Sequence, residues 1–332
     1  MRQRVLGRTG QAISEIAFGC GNVGGLLIRG DQGEQVRAVE RAMELGITYF
    51  DTAAGYGDGV SEQSLGRTLR ELNADVMVGT KLQLGGDDLA AGPAHIRSVF
   101  QASLDRLGRD SVDILYYHGR IRGAGETGGG SRRDRSLTAA EVTGPLLEVF
   151  RGFQRDGMVR FLGFTGLGDT DAVLEAIQPD AYDVMHCYFS MVNPSAGHPV
   201  PSSFAPQNMG QMLDRAAGVG MGVLAIRILA AGAAAGAVDR HPIAGGTGGA
   251  LISGTDYEAD TQRAERLRPI ADGLGISLAE LAIRFALSKA ELSTALVGIS
   301  SVDQVEFAAR AEETGPLPAN IVERIVLTAD EG

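Results

Sequence analysis

Short apolar runs alternate along the chain with longer segments in which apolar residues recur every three or four positions. The short runs, at residues 16–19, 48–51, 76–80, 113–117, 161–165, 183–186, 223–226 and 294–297, predict strands. The longer segments, at 34–45, 62–72, 94–107, 145–156, 171–177, 208–218, 257–274 and 302–312, predict helices. Eight strands each followed by a helix predict a parallel sheet closed into a (β/α)8 TIM barrel of the α/β class. An open doubly wound sheet is the rival architecture, but no GxGxxG follows the first strand.

Two features depart from a plain repeat. Residues 5–7 and 12–14 flank the turn Arg8-Thr9-Gly10 as a short hairpin, read as a cap on the barrel floor. Residues 119–143, after the fourth strand, and 229–256, after the seventh, are too long and glycine-rich for ordinary connections. Both follow strand C-terminal ends, where barrel sites are built, so they read as substrate or cofactor loops rather than linkers. Residues 123–135 read equally well as a disordered insertion. Residues 1–332 are accordingly expected to form a single barrel domain.

A length of 332 residues with 44% hydrophobic and 21% charged positions fits a large folded domain and excludes disorder over most of the chain. Thirty Lys and Arg stand against 41 Asp and Glu, a net charge of −11, so a grip on nucleic-acid phosphates has little support. Cys20 and Cys187 are far apart and form no CxxC, which leaves no disulfide framework or thiolate metal site and fits a reducing cytoplasm. The N-terminal residues lack the apolar stretch of a signal peptide. Residues 219–238 could span a bilayer by length, but Arg227 and four glycines make them strand, turn and loop, so no membrane partner is expected.

Four polar side chains fall at or just beyond the ends of three consecutive strands: Asp51, Tyr56, Lys81 and His118. Singly, each has an ordinary structural reading as a helix cap, a solvated edge or a packing residue. Jointly they form a proton-transfer set. A tyrosine hydroxyl needs neighbouring charge to exchange protons near pH 7. Lys81 would favour phenolate, Asp51 would keep Lys81 charged and oriented, and His118 would donate to a carbonyl oxygen that becomes negative. No side chain supplies hydride, so this set implies a nicotinamide cofactor.

The segments Asp51-Thr52-Ala53, Tyr56-Gly57, Ser61-Glu62 and Leu65-Gly66, with Lys81 and His118, resemble the signature of the aldo-keto reductases. Leu104-Asp105-Arg106-Leu107-Gly108, Gly157-Met158-Val159-Arg160-Phe161-Leu162-Gly163 and Val297-Gly298 extend the resemblance over nearly the whole chain. It implies a barrel that binds NADP(H) or NAD(H) across its C-terminal face and reversibly reduces an aldehyde or ketone, with Tyr56 as acid in reduction and base in oxidation. The family's Ser-Asn after the fifth strand and Gln on the sixth, which clamp the nicotinamide, are matched here to Thr165, Gly166 and Met185. Its stacking aromatic after the seventh strand is replaced within Ile226-Arg227-Ile228-Leu229, where Arg227 is expected to contact a cofactor phosphate or else to pair with a carboxylate. The eighth-strand segment offers Gly298, Ser300, Ser301 and Gln304 but no cation for a 2′-phosphate. Asp303 and Glu306 would repel one if they pointed inward. The family's habit favours NADP(H) and this charge pattern favours NAD(H).

The run Gly163-Phe164-Thr165-Gly166-Leu167 is similar to that of sugar-oxidising members such as L-galactose and aldose dehydrogenases. The resemblance places substrate-shaping residues in the loops, with Asn22, Val23, Arg120, Arg122, Tyr188 and Phe189 as candidates. A metal-dependent hydrolase would need converging His residues, and the five present show no HxH pair. A non-catalytic nucleotide-binding barrel, acting as redox sensor or subunit, is the alternative that the eroded amide clamp raises.

Overall fold

The computed structural model describes residues 1–126, 135–235, 241–245 and 257–330. Eight parallel strands close a barrel in chain order: β1 (Ile16–Gly19), β2 (Tyr49–Asp51), β3 (Met77–Leu82), β4 (Val112–Tyr117), β5 (Val159–Thr165), β6 (Val184–Tyr188), β7 (Gly222–Ile226) and β8 (Thr294–Gly298), with β8 returning to pair with β1. The predicted (β/α)8 barrel is therefore the observed architecture.

Strand alternation divides the core in two. Ala17, Tyr49, Ile114, Tyr116, Val184 and Leu224 turn inward and pack with Leu6 and Ile13 of the N-terminal hairpin. Their neighbours Phe18, Phe50, Leu115, Tyr117, Met185 and Ala225 turn outward and pack with the surrounding helices. The hairpin pairs Gln3–Val5 with Ala12–Ser14, two residues earlier on its first strand than expected. It caps the floor: Arg8 N donates to Gly220 O at 2.7 Å, and Arg4 donates to the carbonyls of Leu287, Lys289 and Leu292.

Most predicted helices form within two residues of their expected ends. One exception is the 208–218 segment, whose helix begins only at Met212, and a proline accounts for another. The 257–274 segment splits into Tyr257–Arg266 and Arg268–Leu274, because Pro269 has no N–H to continue the first helix. Pro145 lies in a widened turn, Val142–Leu146, that delays the next helix to Leu147–Arg155. The loop after β4 carries structure of its own: Arg120–Arg122 pairs in parallel with Ser136–Thr138. The expected insertion at 123–135 falls largely at 127–134, outside the described residues, as do 236–240 and 246–256 of the loop after β7. No helix among the described residues is long and apolar enough to cross a membrane.

Candidate active site

Asp51 ends β2, Lys81 lies near the end of β3, and His118 follows β4, so three adjacent strands deliver their side chains to one mouth of the barrel. Tyr56 comes from the loop between β2 and the helix Val60–Glu71. Ser61 and Glu62 fasten that loop. The Ser61 hydroxyl donates to the Cys20 carbonyl at 2.9 Å and lies 2.8 Å from the Thr52 hydroxyl. The buried Glu62 carboxylate receives the Thr80 hydroxyl and, at 2.6 Å, the Arg106 guanidinium. Gly66 lets this helix meet the next one, because a Cβ there would overlap the Leu107 carbonyl. Ser61, Glu62, Gly66 and Arg106 thus position Tyr56 without lining the cavity.

The Lys81 ammonium donates to Asp51 Oδ1, to the Thr52 carbonyl at 2.7 Å and to the Tyr56 hydroxyl at 3.3 Å. Burial alone would raise the Asp51 pKa, but the Lys81 charge and the His186 imidazole hold the carboxyl well below its ordinary range. Burial likewise works against charge on Lys81, yet Asp51 keeps its pKa above the ordinary value. The two directions agree on a charged pair. The Tyr49 hydroxyl donates to Asp51 Oδ2 at 2.9 Å and thereby satisfies the carboxylate's other oxygen.

Burial pushes the Tyr56 phenol upward, Lys81 pulls it down, Asp51 pushes it up, and the net direction is upward. The expected pull of Lys81 towards phenolate is present, but burial outweighs it, so the resting residue carries its proton. His118 sets its ring edge-on to Tyr56, with centroids 5.7 Å apart at 90°. Burial and then the Lys81 charge lower its pKa to about 3, so the imidazole is neutral at pH 7. The arrangement can deliver one phenolic proton to an oxygen that gains charge, and hold the phenolate that remains.

A cavity of about 360 Å³ extends from this set to the helix Val302–Thr314. Beside Asp51, Tyr56, Lys81 and His118, its lining takes in these predicted residues: Asn22, Val23, Thr165, Ile226, Arg227, Ile228, Leu229, Gly298, Ser300 and Gln304. Gly166, Met185, Ser301, Arg120, Tyr188 and Phe189 do not line it. For the amide-clamp positions the reason is strand parity. Met185 faces outward, where a Cβ on Gly166 would press its methyl group, and His186, next along the strand, takes the inward position beside Thr165. Ser301 is instead the residue preceding the helix Val302–Thr314. Arg120 is solvent-exposed, and Arg122 pairs with Glu141 at 3.3 Å. Tyr188 and Phe189 line a separate small cavity that shares Arg227 with the main one.

The sequence reading passed over His186, although its place two residues beyond the inward Val184 marks it as inward-facing. The loop after β7, expected to serve substrate or cofactor, supplies the roof. Arg29 donates to the carbonyls of Ile243 and Asn22, and Gly245 N to Val23 O, which pins residues 241–245 over the cavity with His241 and Ala244 in its wall. Arg227, Ala230 and Ala231 all have positive φ (59°, 45° and 59°), a strained run of the kind found at ligand clamps. Glu306 turns to Arg41 at 2.8 Å, so its charge is partnered there.

A family model described as the aldo/keto reductase family matches residues 15–328. The chain is 27% identical over 312 residues to the L-galactose dehydrogenase of Arabidopsis thaliana, covering 91% of this chain and 85% of that protein. It is also 27% identical over 337 residues to a probable voltage-gated potassium channel subunit beta of the same plant, covering 97% and 94%. Among solved structures, an aldo-keto reductase from Bacillus halodurans in its holo form superposes with a TM-score of 0.71 at 22% identity, covering 100% of this chain and 97% of that one, a likeness of fold.

Proposed function

Because the chain belongs to the aldo/keto reductase family, we propose that it is an NAD(P)(H)-dependent oxidoreductase interconverting an aldehyde, ketone or aldose with its alcohol or lactone. Tyr56 is the general acid in reduction and the general base in oxidation, residues 1–332 work as one barrel domain, and the enzyme acts on small molecules in the cytoplasm. The observation that carries the reading is the buried Asp51–Lys81 pair with its ammonium 3.3 Å from the Tyr56 hydroxyl. A binding-only barrel gains nothing from burying that charge, which is costly to desolvate.

The cavity fits a dinucleotide. Thr165 Oγ1, His118 Nδ1, His186 Nδ1 and Arg227 Nη1 are buried with no hydrogen-bond partner among the described residues, a group of vacancies that a polar ligand would fill. Thr165 and His186 sit side by side on β5 and β6 and suit a planar carboxamide. Arg227 suits a phosphate. Gly24 brings its backbone so close to Ile299 that a Cβ would overlap it, which keeps this wall flat. Ser300 and Gln304, already bonded through Ser300 N at 2.8 Å, offer neutral groups at the far end, consistent with acceptance of either NAD(H) or NADP(H).

When bound, the dinucleotide supplies or accepts the hydride. In reduction, Tyr56 gives its proton to the carbonyl oxygen, Lys81 stabilises the phenolate left behind, and Asp51 holds Lys81 in place and charged. Neutral His118 offers a donor to the same oxygen. In oxidation, the phenolate takes the hydroxyl proton back. The likeness to L-galactose dehydrogenase supports aldoses as substrates, with hydride leaving the anomeric carbon.

The test follows absorbance near about 340 nm while purified protein is given each dinucleotide and a panel of aldoses, aldehydes and ketones. Turnover with an aldose and NAD+ or NADP+ supports the reading. Tight dinucleotide binding with silence across the panel contradicts it and favours a nucleotide-sensing subunit, the role that the channel-subunit relative raises.

A further inference from the structure

His186 occupies an unusual position for a histidine. It is fully buried inside the barrel, with Nε2 set against Asp51 and Nδ1 left without a hydrogen-bond partner among the described residues. Burying an imidazole with one nitrogen unpartnered costs free energy that an aliphatic side chain would avoid. Two contacts offset that cost. The ring stacks on Tyr116 with centroids 4.0 Å apart and planes 15° apart, and Nε2 stands 3.2 Å from Asp51 Oδ2.

The layer beneath Asp51 is built to hold this ring. The Tyr49 hydroxyl lies 3.2 Å from that of Tyr116 and donates to Asp51 Oδ2. Gly79 and Gly163 make room for the two tyrosines, since a Cβ at 79 would overlap the Tyr49 hydroxyl and one at 163 would come within 2.6 Å of the Tyr116 ring. Asp51 is thus boxed in by Tyr49 and His186 on one oxygen and by Lys81 on the other.

We propose that His186 is a positioning residue for proton transfer, one that fixes the Asp51 carboxylate and, through it, the reach of Lys81 to the Tyr56 hydroxyl. The inference rests on the acid–base role given to Tyr56 above. A neutral imidazole beside a carboxylate must present N–H there, so the proton sits on Nε2 and Nδ1 is left as an acceptor. The other titratable groups facing the Asp51–Tyr56 set are Lys81, His118, Arg227, Tyr49, Tyr116 and Cys20. Of these only Tyr49 shares the Asp51 oxygen that His186 faces.

The chain has no tryptophan, so tyrosinate absorbance near about 295 nm can be followed cleanly, and subtracting the Tyr56→Phe titration isolates Tyr56. His186→Leu should move the Tyr56 midpoint upward by about one pH unit and lower kcat, measured at saturating dinucleotide, by about tenfold. His186→Gln, which keeps an N–H, should stay within about threefold of the wild-type kcat. A His186→Leu protein that is less heat-stable but keeps the wild-type midpoint and kcat overturns the proposal. If that variant does not fold, nitrogen-15 spectra of the wild-type imidazoles decide. A neutral Nε2–H tautomer from about pH 6 to about 9 supports the proposal, and an Nδ1–H tautomer or an imidazolium overturns it. The Tyr56 titration and the imidazole spectra need no substrate, so failure to find turnover would sink the catalytic reading without deciding this one.

Discussion

Lys81 Nζ donates to the Tyr56 hydroxyl at 3.3 Å while Asp51 and the Thr52 carbonyl hold the same nitrogen from behind. The ammonium therefore cannot leave the phenol without breaking two better hydrogen bonds. Its charge acts on the phenolate more than on the phenol, as selective stabilisation of a developing anion requires.

This arrangement predicts opposite pH behaviour for the two directions of reaction. With the Tyr56 pKa raised above its ordinary value, reduction has its proton donor in place throughout the neutral range and should fall only at alkaline pH. Oxidation needs the phenolate and should rise with pH over the same range. Profiles of kcat/KM in both directions test this, and oxidation that declines from neutral to alkaline pH would count against Tyr56 as its base.

A second pH effect concerns stability. The pKa of His118 is lowered to about 3 from an ordinary 6.5, so between these values the unfolded chain binds a proton that the folded chain refuses. Stability is therefore fully present above about pH 6.5 and drains as pH falls, by up to about 1.4 kcal/mol per pH unit from this residue. Asp51, also lowered, adds its loss only below about pH 4. Urea unfolding at pH 7 and pH 5 should show a smaller difference for His118→Gln than for wild type. An equal difference would show that His118 carries none of this linkage.

The barrel is legible in the sequence because its strands are short apolar runs with polar residues clustered at their ends. The helix Leu278–Leu287 is not, because seven of its ten residues are buried and the period of an amphipathic helix is blurred. Asp51, Tyr56, Lys81 and His118 stand out because polar side chains at successive strand ends have few other uses. The error at Met185 is of a different kind: strand direction alternates residue by residue, so a shift of one position exchanges a core side chain for a cavity one. The short parallel pair within the loop after β4 has no periodicity to announce it.

Arg227 should matter for dinucleotide affinity more than for chemistry. Its Nη1 is buried and has no hydrogen-bond partner among the described residues, and its backbone is held at positive φ beside the cavity. Loss of a charge-assisted hydrogen bond costs roughly 1.5–3 kcal/mol, so Arg227→Met should weaken binding of NADH or NADPH by roughly ten- to a hundredfold. Calorimetric titration measures this directly. Unchanged affinity for both dinucleotides would remove Arg227 from the phosphate site.

Gly66 is predicted to be intolerant of even one methyl group. A Cβ would overlap the Leu107 carbonyl, which is backbone and cannot swing aside, so the helices Val60–Glu71 and Pro93–Leu107 would have to separate. Gly66→Ala should cost at least roughly 1–3 kcal/mol by denaturant unfolding. Because Glu62 on the same helix binds Arg106 on its neighbour, activity should fall as well. A Gly66→Ala protein as stable and active as wild type would show that the helices shift freely.

The most direct test of the account is Tyr56→Phe, which keeps the ring and removes only the hydroxyl. Measured with the best substrate found, carbonyl reduction should fall by roughly two to four orders of magnitude while the dinucleotide still binds with near wild-type affinity. Turnover close to wild type would contradict the assignment of Tyr56 as the proton donor.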